Sequence, residues 1–158
     1  MEAGILEEKI KNEIKKMNLE DVVEVVGQVP SEHVKDYMEK ANVFIGTSGS
    51  YEGWGAVINE SMNAACSVVA NKKMGSVPFL IKENETGLMY EKYSELEEKV
   101  KLLIENKELR QKLSKNAYEF ITTKWTGEIA AENLIQLFNS VIQNTPSNII
   151  EGPASKME

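Results

Sequence analysis

A chain of 158 residues, 42% of them hydrophobic, can bury one ordinary core, and the length leaves little room for a second independent domain. Its 25 acidic residues against 18 basic ones give a net charge of -7, which excludes a partner gripped through a phosphate backbone, so no nucleic acid is expected. No apolar run approaches the roughly 20 residues that span a bilayer, the amino terminus has no apolar signal core, and the lone Cys66 cannot form an internal disulfide, so a reducing cytoplasm is the expected compartment.

Leu6, Ile10, Ile14 and Met17 recur at helical spacing among charges and predict an amphipathic helix over 4–17. The β-branched run VVEVV, ended by Pro30, predicts a short strand over 22–26. Ser31 is placed to cap a helix whose buried stripe is Val34, Tyr37, Met38 and Ala41. A strand over 43–46, a helix over 55–65, a strand over 67–70, a turn of helix near 77–81 and a turn over 84–87 follow. Ser94 and Glu97 have capping-box spacing ahead of Leu96, Val100, Leu103 and Ile104. Two further helices carry the stripes Leu109, Leu113, Ala117, Phe120, Ile121 and then Ala130, Leu134, Leu137, Phe138, Val141. Periodicity stops after Asn144, so the domain is expected over 1–144 and a loose tail over 145–158.

Strands about twenty residues apart with helices between them imply an α/β fold with a Rossmann-like, doubly wound parallel sheet. Ligands of such sheets sit at the carboxyl ends of the strands, here after Gly46 and Ala70. The segment TSGSYEGWGAVINE follows Gly46, with Gly53 and Gly55 flanking Trp54 and two carboxylates, Glu52 and Glu60. Glycines let backbone approach a ligand closely, and the free N–H groups at a helix start suit a diphosphate. At a rise of about 1.5 Å per residue, Glu60 sits roughly 8 Å along the helix from Gly55, so both carboxylates are expected to face one crevice.

EGWGAVINE resembles the E-G-F-G-x-x-x-x-E signature of the family 4 glycosyltransferases of the GT-B fold. Neighbouring segments are similar to that family in the same order: VEVVGQVP to V-x-F-L-G-x-V-P, ANVFIGTSGSYEGWG to A-D-V-F-V-x-P-S-x-x-E-G-F-G, and MGSVPFLIKENETGLMY to G-G-x-P-E-L-I-x-x-x-x-T-G-L-L. The resemblance covers about residues 2–125. It implies the donor-binding, carboxyl-terminal half of a retaining enzyme that needs no cofactor or metal, moving a sugar from a nucleotide-diphosphate sugar to a glycan, lipid or other acceptor. Glu52 would bind the donor sugar near the reacting carbon, Glu60 the ribose hydroxyls, and the backbone of Gly53, Trp54, Gly55, Ala56 and Val57 the diphosphate. Val29 would meet the nucleobase.

The sequence departs from the family at Asn42, Gly46, Ala65, Ser67, Met74 and Phe79, where Asp, Pro, Gly, Pro, Gly and Glu are usual. Met74 and Phe79 fall in the loop that faces the donor, which leaves sugar specificity open. Measured against the family, two central strands and a basic pair are expected to be missing before residue 4, together with the acceptor domain. A missing domain or partner chain, self-association through unpaired strand edges, and an inactive isolated chain are then expected. The complete protein is expected in the cytoplasm or peripheral to the inner face of the membrane.

Other readings stand beside this one. A noncatalytic module that binds a nucleotide or a partner, as a split-enzyme subunit or a degenerate remnant, is the competing class. Trp54 is read as packing beside the loop rather than stacking on sugar, and Lys72 and Lys73 as solvated. GTSGS lacks the closing glycine of a nucleophile elbow, and His33 has no partner at metal-ligand spacing.

Overall fold

The computed structural model describes residues 4–156, which divide between Val34 and Lys35 into two compact units. In the first, α1 (Gly4–Lys16) carries a Glu7–Lys11 ion pair on consecutive turns at 2.6 Å. It ends on Asn18 at φ 54, with Leu19 N–H donating to the Ile14 carbonyl and Asn18 N–H to that of Lys15. Asparagine tolerates this left-handed position, and the paired bonds close the helix. The strand expected over 22–26 does not form. Val22 and Val23 both donate to the Leu19 carbonyl, and Val22, Val23 and Val26 are exposed. β-branched composition supplies propensity but no neighbour, and without a partner strand no ladder can satisfy the backbone.

The division falls within α2 (Ser31–Lys40), where Ser31 is a helical residue and of the expected stripe Met38 alone is buried. Beyond it lies the sheet. Strands β1 (Val43–Gly46), β2 (Ser67–Asn71) and β3 (Leu88–Tyr90) are parallel and ordered β1-β2-β3, with Val43 opposite Ser67, Gly46 opposite Ala70 and Asn71 opposite Tyr90. β2, the central strand, is an unbroken buried run from Ser67 to Ala70, as a parallel strand covered on both faces should be. β3 is an addition to the sequence reading, since its three residues are too short to show a period.

The helices α3 (Val57–Asn63), α4 (Val77–Leu80), α5 (Tyr93–Glu105), α6 (Lys107–Lys124) and α7 (Gly127–Ile142) follow the strands. Alternation along β2 sends Val68 and Ala70 into a cluster with Ile58, Met62, Val77 and Ala117, and Val69 into another with Leu88, Leu103 and Leu113. α6 therefore serves both clusters, which is why Leu113, Ala117 and Ile121 of its stripe are buried and Leu109 and Phe120 partly so. The capping box at Ser94 is absent, because α5 starts at Tyr93 with Lys92 as its cap, two residues earlier; Glu95 instead accepts from the Glu91 N–H at 2.9 Å. The stripe of α7 is also not core: Leu134, Phe138 and Val141 are exposed.

Residues 145–156 have no helix or strand but are seated on the second unit. Ile149 is buried, Asn133 donates to the carbonyls of Glu151 and Pro153, and the Glu151 carboxylate pairs with Lys82 and Lys124. The Lys82 hydrogen bond, above all, holds Glu151 below the usual carboxylate range. Among the described residues no helix is long and apolar enough to cross a membrane.

The carboxyl end of α3 shows a residue mismatch. Ala65 N–H donates to the Met62 carbonyl and Cys66 N–H to that of Ser61, a closing pattern that puts Ala65 at φ 56. Glycine suits that conformation and alanine is strained in it by about 1 kcal/mol. Ala65→Gly should therefore raise the stability of the chain by up to about 1 kcal/mol in chemical denaturation; a destabilisation would show that the strain is absent.

Candidate functional site

The loops leaving β1 and β2 meet at the carboxyl edge of the sheet, and their contact is made by backbone. A side chain at Gly75 would begin 2.0 Å from the Gly53 carbonyl oxygen, so only glycine fits. Ser76 N–H donates to the Trp54 carbonyl at 2.7 Å, and its hydroxyl to the Gly55 carbonyl at 3.3 Å. Tyr90, at the end of β3, reaches across the sheet to donate its phenol to the Gly46 carbonyl at 3.2 Å. Burial, aided by Tyr93 and opposed by an Asn71 hydrogen bond, pushes the Tyr90 phenol up, which keeps it a donor.

Met74 lies beneath this junction. It is 1% exposed, with its sulfur 3.0 Å from where a Gly46 side chain would begin and its methyl 3.1 Å from the same point at Gly55. The expectation that Met74 reshapes a donor-facing surface is thus corrected, because the residue fills core under the loop. Gly55 stands at φ 78, which a helix cannot contain, so α3 starts at Val57 with Ala56 as its cap rather than at Gly55.

Ser76 thus takes the carbonyls of Trp54 and Gly55, while that of Ala56 accepts from the Glu60 N–H at 3.0 Å. Among the described residues the N–H groups of Gly53, Trp54, Gly55, Ala56 and Val57 have no acceptor, and Ala56 makes no side-chain cap. A β-carbon at Gly53 would meet nothing within 4 Å, so that end of the turn is open. Gly53, Trp54 and Ala56 are exposed, Val57 is half-buried and Gly55 is buried.

Trp54 packs beside the turn, as its position suggested. Its ring lies 5.5 Å from both Phe79 and Trp125, and Nε1 donates to Asn59 at 2.8 Å. Phe79 therefore supports Trp54. Glu52 is half-buried, its Cγ 3.5 Å from the Gly55 β-position, and Glu60 is exposed on the first turn of α3. Glu60 lines a cleft of about 450 Å³ with Asn59, Asn63, Ile121, Thr122, Trp125 and Thr126; Glu52 is not among its lining residues. Val29 belongs to the first unit, half-buried in the loop after Gly27. Lys72 is exposed and paired with Glu91 at 3.2 Å.

A second cavity of about 480 Å³ lies between α4, the strand ends and the tail, with Phe79, Met89, Phe120 and Ile150 in its walls. Of its three lysines, Lys72 and Lys82 are paired with Glu91 and Glu151, and its Glu83 with Lys99, while Lys156 comes from the tail. Among the described residues no three His, Cys, Asp or Glu side chains gather at a metal site. Sequence reasoning overlooked Gly75, Ser76, Thr122 and Trp125; the M-G-S triplet after β2 was the available signal for the first two.

The family model described as glycosyl transferases group 1 matches residues 3–120. An uncharacterised glycosyltransferase of Methanocaldococcus jannaschii is 34% identical over 119 residues, 74% of this chain and 33% of that protein. The amylovoran biosynthesis glycosyltransferase AmsK of Erwinia amylovora is 34% identical over 89 residues, 53% of this chain and 22% of that protein. The chain thus spans a third or less of these relatives. The structure of TarM superposes with a TM-score of 0.73 at 27% identity, over 87% of this chain and 27% of that one. The carboxyl-terminal domain of LpcC, a group 1 family protein of Francisella tularensis, superposes at 0.68 and 24% identity over 75% of this chain and 62% of that domain, which shows the shared fold.

The interlock at Gly75 gives a paired test. Gly75→Ala must push the two loops apart and should cost about 1–3 kcal/mol in denaturation, whereas Gly53→Ala, with open space around it, should cost well under 1 kcal/mol. Equal costs would mean the loops are not held in contact.

Proposed function

The chain belongs to the group 1 glycosyl transferases, and on that premise we propose that it is the donor-binding part of a retaining, family 4 type enzyme that moves a sugar from a nucleotide-diphosphate donor to a glycan or lipid acceptor. The observation that carries this reading is the row of five unpaired N–H groups over 53–57, flanked by the carboxylates of Glu52 and Glu60. In the reaction the bond between the anomeric carbon and the diphosphate oxygen breaks, a bond to the acceptor oxygen forms, and the acceptor hydroxyl loses its proton. Negative charge grows on the departing diphosphate, where fixed N–H donors stabilise it without reorganising. Glu52 accepts from hydroxyls of the transferred sugar and Glu60 from those of the ribose.

A structure of a Staphylococcus aureus TarM mutant that contains UDP is 28% identical over 84% of this chain, which supports a uridine diphosphate sugar as the first donor to try. The relative AmsK takes its name from amylovoran biosynthesis, which supports a polysaccharide product. The acceptor is held by a further domain or partner chain, so the 158-residue chain alone binds donor weakly and transfers nothing.

One observation favours a second reading, a noncatalytic nucleotide- or partner-binding module. β1 has β2 on one side and, among the described residues, no strand on the other. Such an edge pairs with another chain or with itself. Transfer and hydrolysis assays on the chain alone and joined to an acceptor-binding part separate the readings: turnover only in the joined form supports the enzyme, and none in either supports the module.

In the joined enzyme, Glu52→Gln should lower kcat by about 10²–10³-fold while nucleotide diphosphate affinity changes little. Glu60→Gln should weaken the free nucleotide diphosphate by about tenfold. Equal effects of both changes on that affinity, measured by calorimetric titration, would contradict the separate roles.

A further inference from the structure

We propose that the cavity beside the carboxyl-terminal tail binds an anionic amphiphile, a carboxylate or phosphate head on an apolar chain, whose head takes the place of the Glu151 carboxylate between Lys82 and Lys124. At about 480 Å³ the cavity is of small-molecule size. Phe79, Met89, Phe120 and Ile150 give it apolar walls, and Lys82, Glu151 and Lys156 add charge to the lining. Lys82 and Lys124 converge on the one carboxylate, with Lys124 at 3.5 Å. Two ammonium groups thus share a single negative charge, an arrangement that a carboxylate head would match and a phosphate head would satisfy further. The Lys82 ammonium also lies 5.1 Å from the centre of the Phe120 ring, so cationic and apolar parts of the lining meet there.

Glu151 belongs to a segment that is seated by contacts other than its carboxylate. α7 closes on Asn144 at φ 54, Ile149 is buried, and the Asn133 amide donates to the carbonyls of Glu151 and Pro153 at 3.2 and 2.8 Å. Gly152, at φ 84, lies so near the Lys124 carbonyl oxygen that a β-carbon would begin 2.6 Å from it. The Glu151 side chain can therefore be exchanged without unseating the backbone that carries it. All three charged groups are partly open to water, and ion pairs so placed contribute little. Ile150 is 83% exposed although it lines the cavity, and it offers the apolar surface that an entering chain would cover. None of these residues belongs to the proposed donor site, so the two sites stand or fall separately.

The test follows the amide resonances of Ile150, Glu151 and Gly152 in the 158-residue chain labelled with nitrogen-15. Decanoate and decyl phosphate are titrated in, each below the concentration at which it forms micelles, with decanol and inorganic phosphate as controls. A saturable shift with either amphiphile, tighter than with decanol or phosphate alone, supports the site, and the tighter of the two identifies the head. Glu151→Gln should tighten that binding by about fivefold, because it removes the competing charge, and adding Lys124→Gln should cancel the gain. A Glu151 that served only to seat the tail would give the opposite sign, since losing it would loosen the cavity wall. The proposal is overturned if neither amphiphile gives a saturable shift, or if decanol or inorganic phosphate binds as well. It is overturned equally if Glu151→Gln weakens binding or leaves it unaltered, or if the gain survives Lys124→Gln.

Discussion

The Gly53 carbonyl occupies the space in which a side chain at position 75 would begin, and the neighbouring Ser76 N–H closes on the Trp54 carbonyl at 2.7 Å. These two contacts decide which way the peptides of the turn point. With the Trp54 and Gly55 carbonyls directed at the second loop, the N–H groups over 53–57 have no acceptor among the described residues, and the proposed function gives them to the diphosphate. Met74 beneath and the Phe79–Trp54–Trp125 rings beside the turn fill the volume that would otherwise let it collapse. The parallel sheet sets the two loops at the same edge, and Tyr90 ties the far strand to the near one at Gly46.

The electrostatics follow from the same economy. A chain with a net charge of -7 would repel a diphosphate unless local donors outweighed the field, and Lys72, just past β2, and Lys82, past α4, are drawn into pairs with Glu91 and Glu151. In the proposed function backbone dipoles are the donors. They carry no proton to lose near neutrality, so their contribution does not titrate as a lysine or histidine would. The proposed division of labour is then physical: amides for the charged centre of the donor, carboxylates for its hydroxylated flanks.

The parts of this arrangement that depend on local pattern were legible in the sequence. β1 occupies residues 43–46 as expected and β2 extends the expected strand by one residue, because a buried parallel strand announces itself as an apolar run. What depends on a partner was not. The run VVEVV has strand composition but pairs with nothing, and the apolar stripe of α7 meets no core among the described residues. Met74 looked like a surface change when read against a motif, and only packing shows it as filler. The start of α3 moved two residues because Gly55 takes a positive φ, which glycine permits and sequence does not announce. Ala65 was visible as a departure from glycine, but its cost becomes clear only at φ 56.

The account turns on the claim that the row of amides over 53–57 receives the diphosphate. Amide resonances of the chain during titration with UDP, compared with uridine, test it most directly. The account predicts that Gly53, Trp54, Gly55, Ala56 and Val57 shift together and saturably with UDP and stay in place with uridine. Amides over 53–57 that remain still while UDP perturbs another surface would contradict it.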